Sequence, residues 1–213
     1  MNILKTAEIA VIIPVRMGSK RLRNKNILPI KGIPMFVFVA KNANKSKYNL
    51  NVFISSDSEN VRNICKKYNL NFITRPKKLS LDFVEKQEVI VHATRYLKKK
   101  LNYHPKIIIS LQANSPEFNS KDLDKAIKFF DKKMHVGKPI KELISVNHDN
   151  IQNGAFRILT HKAVFQKTLS TKLGVFFTNY LDIHSKFDYL KVKKKIEKEK
   201  NKKRKKYIKF WTK

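Results

Sequence analysis

The sequence predicts an α/β fold in which helices cover both faces of a mostly parallel β-sheet. Short, continuous apolar runs alternate with segments whose apolar residues recur at helical spacing through the first half of the chain. The first run, Ile9 to Val15, is rich in β-branched residues and is followed by a polar loop, which is typical of a strand buried on both faces. Alternation of such strands with amphipathic helices favours a parallel sheet between two helical layers.

The remaining elements of the first half follow the same alternation. Apolar runs predict strands at 52–55, 71–74 and 106–111. Ser56 and Glu59, three residues apart, are expected to form a capping box at the start of the first striped helix. The apolar stripes that predict helices are Val61, Ile64, Cys65 and Tyr68; then Val89, Ala93, Tyr96 and Leu97; then Leu123, Ala126, Ile127 and Phe130.

The second half is less regular and ends in a basic segment. Its patterns predict strands at 142–146, 155–159 and 175–181, a helix over 160–169 capped by Thr160, and a basic helix over 187–200. The low-complexity residues 201–207 are expected to fray. The chain is therefore predicted to comprise a domain over 1–190 and a basic helical or disordered tail over 191–213.

The net charge of the chain is +31 over 213 residues. Residues 191–213 hold thirteen Lys or Arg and two Glu, a net charge of +11, and the rest is spread over the remainder. Such a field attracts any polyanion, but a nucleic-acid groove needs clustered charge with interleaved aromatic residues. Compositional drift explains the spread charge better, so nucleic acid is not the expected partner. Polyanion binding by the basic tail stays open as an alternative.

The single cysteine, Cys65, lies on the apolar stripe of its helix and is predicted to be a core residue rather than a nucleophile. One cysteine cannot form an intramolecular disulfide, which suits a reducing compartment. The run Ile9 to Val15 is far too short to cross a membrane, and Arg16 follows it instead of a small-residue cleavage site. We therefore expect a cytoplasmic protein without a membrane span.

The loop after the first strand is the most informative segment. It lies at the carboxyl edge of the predicted sheet, where open α/β sheets bind ligands. Gly18 and Ser19 offer backbone amides that an anion can approach, and Arg16 and Lys25 offer positive charge. No Gly-Lys-Ser/Thr ends the loop, so it is not a Walker A motif. The pattern predicts a binding site for a triphosphate.

Short motifs in a fixed order extend this pattern along the chain. The motifs are Arg16, Ser19, Lys20, Lys25 and Asn26 in the loop; Gly32-x-Pro34; Ile54-Ser-Ser-Asp57; Arg75-Pro76 with Leu79 and Asp82; Leu111-Gln-Ala-Asn-Ser-Pro116; Asn153-Gly-Ala155; and Leu181-Asp-Ile183. They resemble those of the N-acylneuraminate cytidylyltransferases, nearly without a break over residues 9–130 and then in two short segments up to about residue 190. The resemblance implies a Rossmann-like three-layer αβα nucleotidyltransferase fold.

The resemblance also implies the chemistry and the partners. In this family the anomeric hydroxyl of an acidic nine-carbon sugar attacks the α-phosphate of CTP and pyrophosphate leaves, which requires charge neutralisation and usually Mg²⁺. Arg16 and Lys25 are the implied catalytic residues, and Lys25 stabilises the departing pyrophosphate. The implied nucleotide-binding residues are Arg16, Gly18, Ser19, Lys20, Lys25, Asn26 and Arg75; Gln112 and Asn153 would bind the sugar, and Asp182 would bind the metal.

Three positions depart from the family pattern. His184 stands where the family has a second metal-binding carboxylate, although Mg²⁺ prefers oxygen ligands. Only six residues separate Val146 from Asn153, where the family has several tens that form much of the sugar pocket and the dimer contact. Whether this chain forms a homodimer therefore stays open. Lys86 stands where small hydroxyl residues are common near the nucleotide.

Alternative functions follow from these departures. One is the same reaction on a related sugar such as legionaminic, pseudaminic or 3-deoxy-octulosonic acid, and the loop spacing favours the neuraminate-like branch over the octulosonate one. Another is a catalytically weak or inactive relative that keeps the fold and binds a nucleotide. The third is the polyanion-binding protein already considered.

Overall fold

The computed structural model describes residues 9–19, 21–135, 137, 139–149, 151–168 and 170–210, with side chains described as far as Lys198. A seven-stranded mixed sheet forms the centre, with the strand order β5-β4-β1-β6-β8-β7-β9. The pairs β1–β4, β1–β6, β4–β5 and β7–β9 are parallel, whereas β8 runs antiparallel to both of its neighbours. The sheet strands are β1 (Ile9–Pro14), β4 (Asn51–Ser56), β5 (Asn71–Thr74), β6 (Ile107–Leu111), β7 (Glu142–Val146), β8 (Gln152–Thr160) and β9 (Leu173–Phe177).

Helices cover both faces of the sheet, as the alternation predicts. One face packs against α1, α2 and α4 through residues such as Val11, Phe36 and Phe130. The other packs against α3 and α5 through residues such as Ile12 and Leu97. The helices are α1 (Met35–Ala43), α2 (Glu59–Lys67), α3 (Lys86–Leu101), α4 (Ser120–Met134), α5 (His161–Val164) and α6 (Lys186–Phe210). Cys65 is buried in the first of these layers, as its stripe predicts.

A small hairpin lies between β1 and α1. Its strands are β2 (Pro29–Ile30) and β3 (Ile33–Pro34), and they pair antiparallel. Lys31 and Gly32 connect them with φ angles of 50° and 77°, the left-handed conformation that two-residue hairpin turns require. The glycine of the Gly32-x-Pro34 motif is therefore needed for the turn that leads into α1.

The cap of α2 differs from the predicted one. Ser56 is the last residue of β4 and is fully buried, so it cannot start the helix. Ser58 is the N-cap instead, and its hydroxyl accepts a hydrogen bond from the Val61 amide at 3.4 Å. The predicted capping box of Ser56 with Glu59 is therefore wrong by two residues.

The second half also differs from the predicted boundaries. The predicted helix over 160–169 is a single turn, α5, whose N-cap is Thr160 as predicted; Leu169 lies outside the described residues. The chain leaves the helix because Gln166 and the Ser170 amide both donate to the buried carboxylate of Glu142, each at 3.1 Å. The strand predicted at 175–181 is β9, which ends at Phe177.

The last helix crosses the predicted boundary between domain and tail. α6 runs continuously from Lys186 to Phe210, and its residues Val192 and Ile196 are buried against Ile30, Met35 and Ile183. The first turns beyond residue 190 therefore pack on the domain, and a separate tail stays a prediction for the residues after Lys198. Within the described residues, no helix is long and apolar enough to span a membrane.

Candidate active site

A cavity of about 490 Å³ opens at the carboxyl end of the sheet. Pro14 ends β1 and Leu111 ends β6, and both line the cavity. These strands are neighbours, and the chain leaves β1 toward β4 on its other side. Such a change of direction is where open α/β sheets bind ligands. The predicted residues Arg16, Ser19, Lys25, Asn26, Arg75 and Gln112 all line this cavity.

The loop after β1 is held in place by polar contacts. Asn26 is buried, and its side-chain amide donates to the Arg16 carbonyl at 2.9 Å, so it braces the loop from within. The Arg16 guanidinium forms an ion pair with Asp82, with 2.7 Å between Nη1 and Oδ1. Gly18 is exposed, and nothing lies within 4 Å of the position that a Cβ would take. Lys20 lies outside the described residues.

Lys25 is half-buried in the cavity and begins a short 3₁₀ helix, Lys25–Ile27. Burial lowers the pKa of its ammonium below the ordinary value, and the nearby guanidinium groups of Arg16 and Arg21 act in the same direction. The negative charge of Asp182 opposes this shift and acts to raise the pKa of Lys25. A compact cation with few other partners is well suited to bind phosphate oxygens.

Arg75 is buried and its guanidinium is used by the protein itself. It donates to the Ser80 hydroxyl at 2.9 Å and to the Val15 carbonyl at 3.0 Å, and it lies 3.6 Å from the Asp57 carboxylate. These contacts join the loop after β1, the end of β4 and the 3₁₀ turn after β5. The structure thus places Arg75 at the cavity wall as a brace, and the predicted contact with the nucleotide stays a prediction.

Asp182 does not itself line the cavity, but its carboxylate lies against Gln112, which does. The Ser115 hydroxyl donates to its Oδ1, and the Gln112 side-chain amide lies 3.5 Å from its Oδ2. Burial raises the pKa of Asp182, whereas the Ser115 hydrogen bond and electrostatic interactions with Lys86, His184 and Lys25 lower it; the net shift is upward. The ammonium groups of Lys86 and Lys25 thus favour the ionised form of Asp182.

The segment that carries Asp182 is fixed by its neighbours. Asn114 pairs with Ile183 twice, because its side chain donates to the Ile183 carbonyl at 3.0 Å and its own carbonyl accepts from the Ile183 amide at 2.9 Å. His184 lines the cavity, and its amide donates to Asp188 at 3.0 Å. Asp188 also accepts from the Ser185 amide at 2.8 Å, so it caps α6 and does not replace the missing carboxylate of the cavity.

Asn153 does not line the cavity. It lies in β8, where its carbonyl oxygen accepts from the Ser145 hydroxyl at 2.7 Å. Its amide donates to the Thr178 hydroxyl at 2.6 Å and to the Thr178 carbonyl at 3.1 Å. The side chain thus joins β7, β8 and the chain after β9, and the structure does not bring it to the other predicted residues.

Sequence reasoning gave no role to three residues at the site. Asp82 and Ser115 both lie inside motifs that carry the resemblance, and their position in these motifs could have indicated a role at the site. Lys86, singled out only as a departure, lines the cavity. Their importance comes from contacts with Arg16 and Asp182, which are distant in sequence.

The metal expected from the resemblance has one candidate ligand here. Among the described residues, no group of three or more His, Cys, Asp or Glu side chains is arranged to hold a metal ion. Mg²⁺ in nucleotide sites is often held by one or two carboxylates together with substrate phosphates. Asp182 fits that role because it is a hard oxygen ligand that lies against the cavity residue Gln112, whereas the imidazole of His184 is not the oxygen ligand that Mg²⁺ prefers.

The sheet order and the placement of the cavity define the class of protein, which is a three-layer α/β nucleotidyltransferase fold. The solved structure of a CMP:2-keto-3-deoxy-manno-octonic acid synthetase complexed with CTP has a TM-score of 0.74 to this chain. The match covers 90% of this chain and 99% of that one at 13% sequence identity, which confirms the predicted fold.

The chain matches the cytidylyltransferase family over residues 10–209 and belongs to that family. N-acylneuraminate cytidylyltransferase of Escherichia coli O18:K1:H7 (strain RS218 / NMEC) is 33% identical over 123 residues, covering 58% of this chain and 28% of that protein. Pseudaminic acid cytidylyltransferase of Campylobacter jejuni subsp. jejuni serotype O:2 is 32% identical over 120 residues, covering 56% and 51% respectively. The matched part thus spans about half or less of these relatives.

Proposed function

We propose that this chain transfers CMP from CTP to an acidic sugar of the sialic (nonulosonic) type and releases pyrophosphate. The observation that carries the proposal is the half-buried side chain of Lys25 in a cavity at the ends of β1 and β6, with Arg16 and Gln112 in the same lining. Membership of the cytidylyltransferase family supports the nucleotide, and the names of the two relatives support an acidic sugar.

The residues of the cavity suit the steps of this reaction. The sugar's anomeric oxygen forms a bond to the α-phosphorus of CTP, the bond from that phosphorus to pyrophosphate breaks, and the hydroxyl proton passes to solvent water. Lys25, with Arg16 and the amides of the loop, holds the phosphate chain and stabilises the negative charge on the departing pyrophosphate. Mg²⁺ bound by Asp182 and by phosphate oxygens would neutralise part of the same charge.

The sugar is placed by the other side of the cavity. Gln112 lines the cavity next to Asp182, and its side chain has donor and acceptor groups that suit sugar hydroxyls. Asn153 already uses its carboxamide within the sheet, so we assign sugar binding to Gln112 first. The same contacts suit 3-deoxy-octulosonate, which is the alternative acceptor.

A second candidate function is nucleotide binding without turnover. It is favoured by His184, which lines the cavity at the position where the family pattern has a carboxylate. The two candidates differ in their response to Mg²⁺. An enzyme releases pyrophosphate with the metal and loses that turnover when the metal is omitted, whereas a protein that only binds the nucleotide shows no turnover in either case.

A pyrophosphate-release assay with all four nucleoside triphosphates and a panel of acidic sugars tests the proposal. We expect release with CTP and a nonulosonic acid, and Lys25→Ala is expected to abolish release while circular dichroism shows an intact fold. Lys66→Ala is the matched control, since Lys66 is exposed on α2 outside the cavity. Undiminished release by Lys25→Ala would remove the assigned role of the loop.

A further inference from the structure

Lys86 is held at the cavity by a well-defined helix start. It is the first residue of α3, and Glu85 and Glu88 form a capping box around it. The next residue, Gln87, accepts a hydrogen bond from Arg157 at 2.6 Å and donates another to the Val164 carbonyl. The backbone on both sides of Lys86 is therefore fixed, and its side chain lines the cavity, where burial lowers the pKa of the ammonium.

The cations near Lys86 differ in whether another protein group already pairs with them. Arg16 is paired with Asp82 and Arg75 with Asp57, so these two guanidinium groups have protein partners. Lys25 and Lys86 come from different elements, and both line the cavity. The charge of Asp182 acts on both ammonium groups, but one carboxylate balances at most one of them, so the cavity keeps an excess of positive charge at this point.

We propose that Lys86 is a second phosphate-binding residue, which acts with Lys25 so that the cavity binds the triphosphate of a nucleotide even without a divalent cation. The inference rests on the proposed function, since it concerns the same cavity. Two ammonium groups carry the same total charge as one divalent cation, and each is a compact point charge with three donors for phosphate oxygens.

Isothermal titration of CTP into the full chain, in EDTA and separately in Mg²⁺, tests this inference. We expect the wild-type chain to bind CTP in EDTA, and Lys86→Met to weaken that binding by about ten- to a hundredfold, the value of a hydrogen bond to a charged group. In Mg²⁺ the loss is expected to be smaller, because the metal then supplies charge at the same phosphates. Lys86→Arg keeps the charge and is expected to bind CTP in EDTA nearly as well as the wild type.

Lys98→Met is the matched control, since Lys98 is exposed in the last turn of the same helix and does not line the cavity. Equal CTP affinity of Lys86→Met and Lys98→Met in EDTA overturns the inference. Unchanged CTP affinity with a raised KM for the acidic sugar also overturns it, because Lys86 would then bind the sugar carboxylate. A wild-type chain that binds no nucleotide in either buffer overturns the proposed function itself. Thermal melts of each variant establish that the fold is intact.

Discussion

Replacing Arg75 with methionine removes a buried guanidinium that joins three segments around the cavity. Its partners are the Val15 carbonyl, the Ser80 hydroxyl and the Asp57 carboxylate. Methionine has a similar length and fills most of the same volume, so the change removes polar contacts without leaving a large void. The variant therefore distinguishes two roles for Arg75, bracing of the loops and direct contact with the nucleotide.

The size of the effect follows from the contacts that are lost. Leaving the buried Val15 carbonyl without its charged partner costs about 2 kcal/mol. The Asp57 side chain is 26% exposed, so water reaches it, and its unpairing adds only about 1 kcal/mol. The total, about 3 kcal/mol, corresponds to a fall in Tm of about 6 to 12 °C for a chain of this size.

Urea denaturation and thermal melts measure this loss, and CTP titration well below the Tm measures binding. Arg23→Met is the control, because Arg23 is an exposed cation in the same loop and does not line the cavity. We expect Arg75→Met to be destabilised by the stated amount and the control to be unchanged. If Arg75→Met melts like the control yet loses most of its CTP affinity, the guanidinium contacts the nucleotide and the bracing role is refuted.

Two further predictions concern hydrogen bonds at and away from the cavity. Ser115→Ala removes a bond that stabilises the ionised form of Asp182, so the pKa of Asp182, already raised by burial, rises further. The acidic limb of kcat/KM against pH is then expected to move to higher pH; an unmoved limb would show that Asp182 need not be ionised. Asn153→Ala removes the link between Ser145 and Thr178 and is expected to lower the free energy of unfolding by about 2 kcal/mol with CTP affinity unchanged, and a stability equal to that of the wild type would contradict it.

The elements that could be predicted from sequence are those whose signal is local. The run Ile9 to Val15 is apolar throughout because β1 is buried on both faces, and that pattern alone predicts a strand with neighbours on each side. The stripes of α2, α3 and α4 are set by which helix face meets the sheet, so they are equally visible. The layers of the fold follow from these patterns.

The boundaries of the elements and the directions of the strands depend on contacts between residues that are distant in sequence. They were therefore harder to predict from local sequence patterns. The cap of α2 moved from Ser56 to Ser58 because β4 continues through Ser56 to pair with β5. The antiparallel direction of β8 is set by its pairing with β6 and β7. The residues of β8 alone do not show either pairing. The end of α5 is set by Glu142, which lies nineteen positions before the helix.

The short connection between β7 and β8 has a local explanation that the sequence only partly shows. Asn147 accepts hydrogen bonds from the amides of Asp149 and Ile151, at 3.0 and 2.8 Å, and its own amide donates to the Ile151 carbonyl at 2.9 Å. These three hydrogen bonds close the turn, so the two strands are connected without a longer segment. The expected loss of a pocket wall follows from the six-residue length, but the compact turn could be seen only in the structure.

The candidate site illustrates the same division between local and distant signals. A basic loop after a buried strand predicts an anion site, and the cavity lies there, because the position of a loop at a sheet edge is fixed by topology. Which cation is available to a ligand depends instead on whether a carboxylate or carbonyl from another segment has already engaged it. Arg16 and Arg75 form ion pairs with Asp82 and Asp57, whereas Lys25 lines the cavity and forms no such pair with another described residue. The motif therefore predicts the place of the candidate site, and the three-dimensional pairing of charges indicates Lys25 as the cation that is available to a ligand.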